Sequence, residues 1–234
     1  MKTVKLVIFF AILTTFAAGC KKGIDEPDKR LFEVKAGTIT YQYTFDVDGD
    51  HTTDMCTMIF DDYGNLARIG DVIIDRISQK TYHLYPDEKQ YREFPLDSDL
   101  AQLWDKFYLG NDQRVWERKY PNMIISDFKK ASDMTVAGKD CSVTLVDYKW
   151  EGTDDKCTMF WGGWRKITFW IYETIEGIEG SRGFRKLEAI DFTKTIPSDC
   201  FSVPSDYTKK SNIKKIVQVQ TEDGRTIEVE DFME

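Results

Sequence analysis

GTITYQYTFDVDGDHTTDMCTMIF, residues 37–60, decides the fold: Ile39, Tyr41, Tyr43 and Phe45 alternate with Thr38, Thr40, Gln42 and Thr44. Beyond them, Met55, Thr57 and Ile59 alternate with Cys56, Met58 and Phe60. Successive side chains of a strand point to opposite faces, so a period of two in β-branched and aromatic residues predicts strands. Asp48-Gly49 between the two runs predicts the turn of a hairpin.

The same pattern extends outward on the C-terminal side. Asp62-Tyr63-Gly64-Asn65 predicts a turn, followed by strands at Leu66–Ile69, Val72–Ile77, Thr81–Tyr85 and, after Pro86-Asp87-Glu88-Lys89, Gln90–Phe94. A short strand at Met123–Ile125 precedes a second β region from Met134. There Asp140–Trp150 and Lys156–Trp161 flank the turn 151–155, and Lys166–Tyr172 and Arg185–Phe192 flank a loop at Glu176–Gly183. Short strands joined by turns, with no βαβ rhythm, predict a mainly β domain built as an antiparallel sandwich or barrel. Residues 54–60 and 155–161, DMCTMIF and DKCTMFW, echo one another after their turns. One such echo does not make a repeat architecture.

Asp97–Gly110 breaks the alternation. Leu100, Leu103, Trp104, Phe107 and Tyr108 fall at i, i+3, i+4, i+7 and i+8, which predicts a helix with one apolar stripe, Asp97 or Ser98 as N-cap and Gly110 just past its end. A shorter helical turn from Asn111 or Asp112 carries Val115, Trp116 and Tyr120 and stops at Pro121. The tail, 209–234, holds a terminal hairpin with strands Ile216–Gln220 and Thr226–Glu230 about Asp223-Gly224.

On the N-terminal side, Lys2 and Lys5 precede an apolar run from Leu6 to Phe16 that ends in Ala17-Ala18-Gly19-Cys20. The run is shorter than the roughly 20 residues that cross a bilayer, and its flanks are those of an export signal, residues 1–19. Ala-Ala-Gly-Cys resembles the lipobox of bacterial lipoproteins, which implies cleavage before Cys20 and a lipid on its sulfur. Ala17 stands where that pattern more often has Leu, Val or Ile. Residues 20–33 follow as a lipidated cysteine and a polar tether with Gly23, Pro27 and charges but no periodicity. The expected place is the bacterial cell envelope, at the outer membrane and lipid-anchored.

The net charge of −8 becomes more negative once the signal lysines are gone. An acidic chain with no basic, aromatic-interleaved run repels phosphate, which argues against nucleic acid as a partner class and disfavours broad adhesion to anionic lipid. With 14% aromatic and 41% hydrophobic residues the chain can bury a sizeable core. Cys56, Cys141, Cys157 and Cys200 remain after Cys20; an exported protein can oxidise them, and buried thiols are the other reading. With His51 and His83 alone and no C-x-x-C, a zinc site has little to draw on.

Residues 41–91, with Met58-Ile59-Phe60-Asp61-Asp62-Tyr63-Gly64, and residues 137–204, closing on Ile196-Pro197-Ser198-Asp199-Cys200-Phe201-Ser202-Val203-Pro204, resemble a group of Bacteroidetes lipoproteins, themselves similar to the LolA/LolB-like lipoprotein carriers. The resemblance covers most of 34–208 and implies an unclosed, strongly curved antiparallel sheet, a half-barrel with a helix on its concave face. No binding residue of the carriers matches a position here.

Three chemistries compete. Asp46, Asp48, Asp50 and Asp54 mimic an EF-hand loop, but Gly49 is at position 4 rather than 6 and Thr57 stands where position 12 needs Glu, so an acidic hairpin tip is the better reading. Neither G-x-S-x-G nor H-E-x-x-H occurs, and the expectation is a non-enzyme with no catalytic residue, metal or cofactor. Trp104 and Phe107 of the helix with Trp161, Trp164 and Trp170 of the strands supply enough aromatic area to line a cleft for an acyl chain or a lipoprotein's lipid moiety. Buried aromatics are more often ordinary core, in which case the protein is an interaction module holding another envelope protein.

Overall fold

The computed structural model describes residues 30–96, 116–117, 120–153, 156–176 and 182–210, and the backbone of 214–220 and 226–232. The expected signal, Cys20, most of the expected tether and the helix expected at Asp97–Gly110, with Trp104 and Phe107, lie outside the described residues.

The quoted stretch is a hairpin of β1 (Gly37–Val47) and β2 (Asp50–Asp61), in register from Gly37 opposite Phe60 to Val47 opposite Asp50. Asp48 and Gly49 turn with φ of 54° and 89°, the left-handed pair that a two-residue hairpin turn needs. β3 (Leu66–Ile69), β4 (Val72–Asp75), β5 (Lys80–Tyr85) and β6 (Gln90–Pro95) continue as a meander. β4 stops two residues earlier than its apolar run because the Asp75 carboxylate accepts the N–H groups of Ile77 and Ser78 and turns the chain.

After the helical pair Trp116–Glu117 come β7 (Met123–Ile125), β8 (Lys129–Lys130) and β9 (Met134–Val136), each paired with the long β10 (Lys139–Trp150). β11 (Lys156–Trp164), β12 (Ile167–Glu176) and β13 (Arg182–Thr193) follow in antiparallel order, and β13 closes onto β1. β14 (Thr208–Lys209) adds in parallel to β6. The result is one curved, unclosed sheet in the order β14-β6-β5-β4-β3-β2-β1-β13-β12-β11-β10-β7, the half-barrel expected from the sequence. β15 (Lys214–Gln220) and β16 (Thr226–Phe232) form a separate hairpin, also as expected.

One face of this sheet carries the core. Ile39, Tyr41, Met58, Phe60, Met159, Trp161, Phe169 and Ile171 are buried there, and the two echoing segments contribute Met58 and Met159 as equivalent second strands of their hairpins. The chain enters over one end of the sheet. The N–H groups of Leu31 and Phe32 both donate to the Tyr63 carbonyl, and the Phe32 ring lies so close to Gly64 that a Cβ there would sit 2.9 Å from it. Gly64 also has φ of 91°, so two requirements select glycine at this position.

Among the described residues the four cysteines are thiols, with Cys141, Cys157 and Cys200 buried and Cys56 half-buried. Burial pushes the Cys56 thiol up to about 12 and the Cys141 thiol up to about 11. It also holds the Tyr41 phenol, whose hydroxyl donates to the Thr168 carbonyl at 2.7 Å, well above its usual range. These folded-state values are raised, so the neutral groups cost nothing below the ordinary thiol range. As pH rises above about 9 the unfolded chain ionises first. A denaturation midpoint that is flat near neutrality and falls steadily from there through about pH 12 is the expected result, read by tryptophan fluorescence. A midpoint unchanged across that window would contradict these burials.

Candidate functional site

Register fixes which side chains share a face, because residues directly opposite in antiparallel strands point the same way. Across β10, β11, β12, β13 and β1 one row reads Thr144, Trp161, Ile171, Leu187 and Tyr43. The next reads Val146, Met159, Glu173, Arg185 and Phe45, and the third Tyr148, Cys157, Ile175, Gly183 and Val47. These rows form a continuous inner wall. Trp116 covers part of it, its ring packing edge-on against Trp161 with centroids 5.3 Å apart, and it touches Tyr120 in turn.

Trp161 is 2% exposed and its indole N–H donates to Thr168 Oγ1 at 2.9 Å, so its orientation is set by both a ring contact and a hydrogen bond. A register shift at Gly162/Gly163 brings Thr168 within reach, since a bulge re-aims the residues beside it.

The middle row interrupts the apolar wall. Glu173 is 1% exposed; the Tyr148 hydroxyl donates to one of its carboxylate oxygens and Arg185 Nη1 stands 3.6 Å from the other. Burial, with Glu173 beside it, holds the Tyr148 phenol well above its usual range, and burial does the same to Tyr43, which Arg185 partly offsets. Both phenols are therefore neutral donors throughout the physiological range. The arrangement offers an apolar wall with one buried charge pair and two phenols.

The tryptophans expected to line a single cleft are distributed over three places. Trp161 is on the inner wall. Trp170, opposite Gly162 and adjacent to the inward Ile171, projects to the other face, where it stacks with Tyr172 and lies near Phe160; Tyr172 in turn stacks on Phe184. Trp164 belongs to the end of the sheet, packed edge-on against Phe169 and Phe192 with Lys139 5.2 Å over its ring. Glu173, Arg185, Tyr148 and Trp116 are the inner-wall residues that the aromatic count passed over. The acidic loop is a hairpin tip: Asp46 Oδ2 lies 3.2 Å from His51 Nδ1, and Asp48 Oδ1 accepts the Arg182 N–H. Among the described residues no three His, Cys, Asp or Glu side chains converge as a metal site requires.

No protein-family model matches the chain, and no curated protein matches it. Among solved structures it is similar to MucB in complex with MucA(peri), with 11% identity, a TM-score of 0.33 and coverage of 78% of this chain but only 58% of that one. It is also similar to a putative outer membrane lipoprotein-sorting protein domain from Vibrio parahaemolyticus, with 9% identity, a TM-score of 0.29 and coverage of 76% and 94%. A DUF1329 family protein from Desulfovibrio piger ATCC 29098 is similar with 12% identity, a TM-score of 0.28 and coverage of 85% and 97%.

Proposed function

We propose that the protein is a lipid-anchored cell-envelope protein, attached through Cys20, that binds an acyl chain or other apolar group without catalysis. The group lies against the inner wall of β10–β13, under the segment that contains Trp116. The observation that carries this reading is the Glu173–Arg185 pair, its carboxylate buried and its guanidinium partly so, in the middle of a mostly apolar wall. A wall that served only as core gains little from such a pair, since the desolvation of both charges offsets their attraction. An amphiphile uses both parts, its chain on Trp161, Ile171 and Leu187 and its polar end at Arg185 and Tyr148.

The test is native mass spectrometry of the chain beginning at Lys21, purified without detergent, before and after addition of a fatty acid. A bound mass that is removed by delipidation and restored by the fatty acid is the expected result. A persistent absence of bound mass, together with cross-linked envelope proteins recovered from cells, instead supports an interaction module. The half-buried outer-face rings Phe160, Trp170, Tyr172 and Phe184 favour that second reading, because such a patch fits a protein partner.

A further inference from the structure

The two ends of the sheet differ in charge, and the chain enters at the basic one. β1, β10 and β12 start at this end, while β2, β11 and β13 finish there. The entry segment is fastened across it, with the Glu33 N–H donating to the Arg165 carbonyl, the Tyr63 N–H to the Lys35 carbonyl, and the Arg30 guanidinium 4.0 Å over the Tyr63 ring. Arg30, Lys35, Lys139, Arg165, Lys166 and Lys194 surround this point. Five carboxylates lie nearby, Glu33 (paired with Lys166), Asp61, Asp62, Asp75 and Asp140, so the cations exceed them by one. At the opposite end of these strands, among the described residues, Asp46, Asp48, Asp50, Glu151 and Glu176 outnumber the full cations Lys149, Lys156 and Arg182.

Two further features mark the basic end. Arg165 and Lys166 form the two-residue turn between β11 and β12 with φ of 49° and 63°, a left-handed pair that usually takes Asn-Gly, so two exposed cations are held at a strained tip. Trp164 lies directly behind them with the Arg165 guanidinium 5.5 Å from its ring. Ile77, 57% exposed, stands on the next turn, which the Arg76 N–H joins to the same end through the Asn65 carbonyl.

We infer that this end is a docking surface for a phospholipid bilayer that carries anionic headgroups. Arg165 and Lys166 meet the phosphates, Trp164 supports that turn from behind, and the exposed Ile77 reaches toward the acyl chains. The inference rests on the proposed attachment through Cys20. Residues 21–30 span at most about 36 Å when fully extended, so a domain anchored there stays beside the bilayer and its nearest end is the basic one. The acidic far end is repelled by the same headgroups, which orients the domain although the whole chain carries a net charge of −8.

The test tethers the chain beginning at Lys21 by an N-terminal oligohistidine tag to vesicles containing a nickel-chelating lipid. One set has an equal mixture of phosphatidylethanolamine and phosphatidylglycerol as its bulk lipid, the other phosphatidylcholine. Amide hydrogen exchange at residues 163–167 and 76–79 is expected to slow several-fold on the anionic vesicles alone. Arg165→Glu/Lys166→Glu, on an exposed turn, is expected to abolish that protection while exchange in β1 and β13 stays unchanged. Equal exchange on both lipids, or protection that survives the charge reversal, would overturn the inference. Because the tag supplies the anchor, such a failure leaves the Cys20 reading untouched. The intact mass of the native N-terminus tests that reading separately.

Discussion

Arg185→Met should lower the unfolding free energy by about 3–5 kcal/mol, because it takes the guanidinium's charge away from a Glu173 carboxylate that water cannot reach. Glu173 is 1% exposed, and the Tyr148 hydroxyl gives it a hydrogen bond but no charge. The guanidinium itself is only partly buried, with a side-chain exposure of 19%, so the loss comes from the buried carboxylate deprived of that charge rather than from a cavity. The double variant Glu173→Leu/Arg185→Met removes both charges and should recover most of the loss, since replacing a buried pair by apolar side chains is often neutral or better. Chemical denaturation of the parent and the two variants reads both numbers. If the single variant is as stable as the parent, the pair is not a buried ion pair and the polar centre of the inner wall disappears with it. If the double variant is stable but no longer takes up a fatty acid, the pair serves the ligand and not the fold.

Much of the sheet was legible because period-two alternation is a local property. The hairpin at 37–60, the meander to Phe94 and the long hairpin β10–β11 all follow from runs whose neighbours in sequence are also neighbours in the sheet. The closure of β13 onto β1 joins residues about 150 positions apart, and nothing in either strand's own pattern names the other. β8 and β14, two residues each, are too short to leave any period. The inner wall was legible in part. In β12 the positions Ile167, Phe169, Ile171 and Ile175 form an apolar series with Glu173 in the one place where a carboxylate does not belong, and that interruption was the signal. Arg185 interrupts Gly183, Leu187 and Ala189 in the same way on β13. Counting aromatic rings passed over both, and it grouped Trp161 with Trp170 although neighbouring parity, with Trp161 opposite Ile171, sends them to opposite faces.

That separation makes Trp161 and Trp170 a matched pair of probes, and Trp161→Ala carries the second large effect expected here. Its ring is 2% exposed, packs edge-on against Trp116, and holds Thr168 through the indole N–H. Thr168 in turn accepts the buried Tyr41 hydroxyl at its carbonyl, so the truncation opens a cavity beside a connected set of hydrogen bonds and should cost about 3–5 kcal/mol. Trp170→Ala empties a half-exposed place over Gly162 and should cost well under half of that. The milder substitutions Trp161→Leu and Trp170→Leu then separate a ligand wall from a filled core. A ligand that binds only the folded protein raises its melting temperature by mass action. If the inner wall holds an acyl chain, added fatty acid should raise the melting temperature of the parent and of Trp170→Leu alike, and the shift should shrink or vanish in Trp161→Leu. An equal shift in both variants would move the ligand off the inner wall, and a shift lost only in Trp170→Leu would place it on the outer aromatic strip.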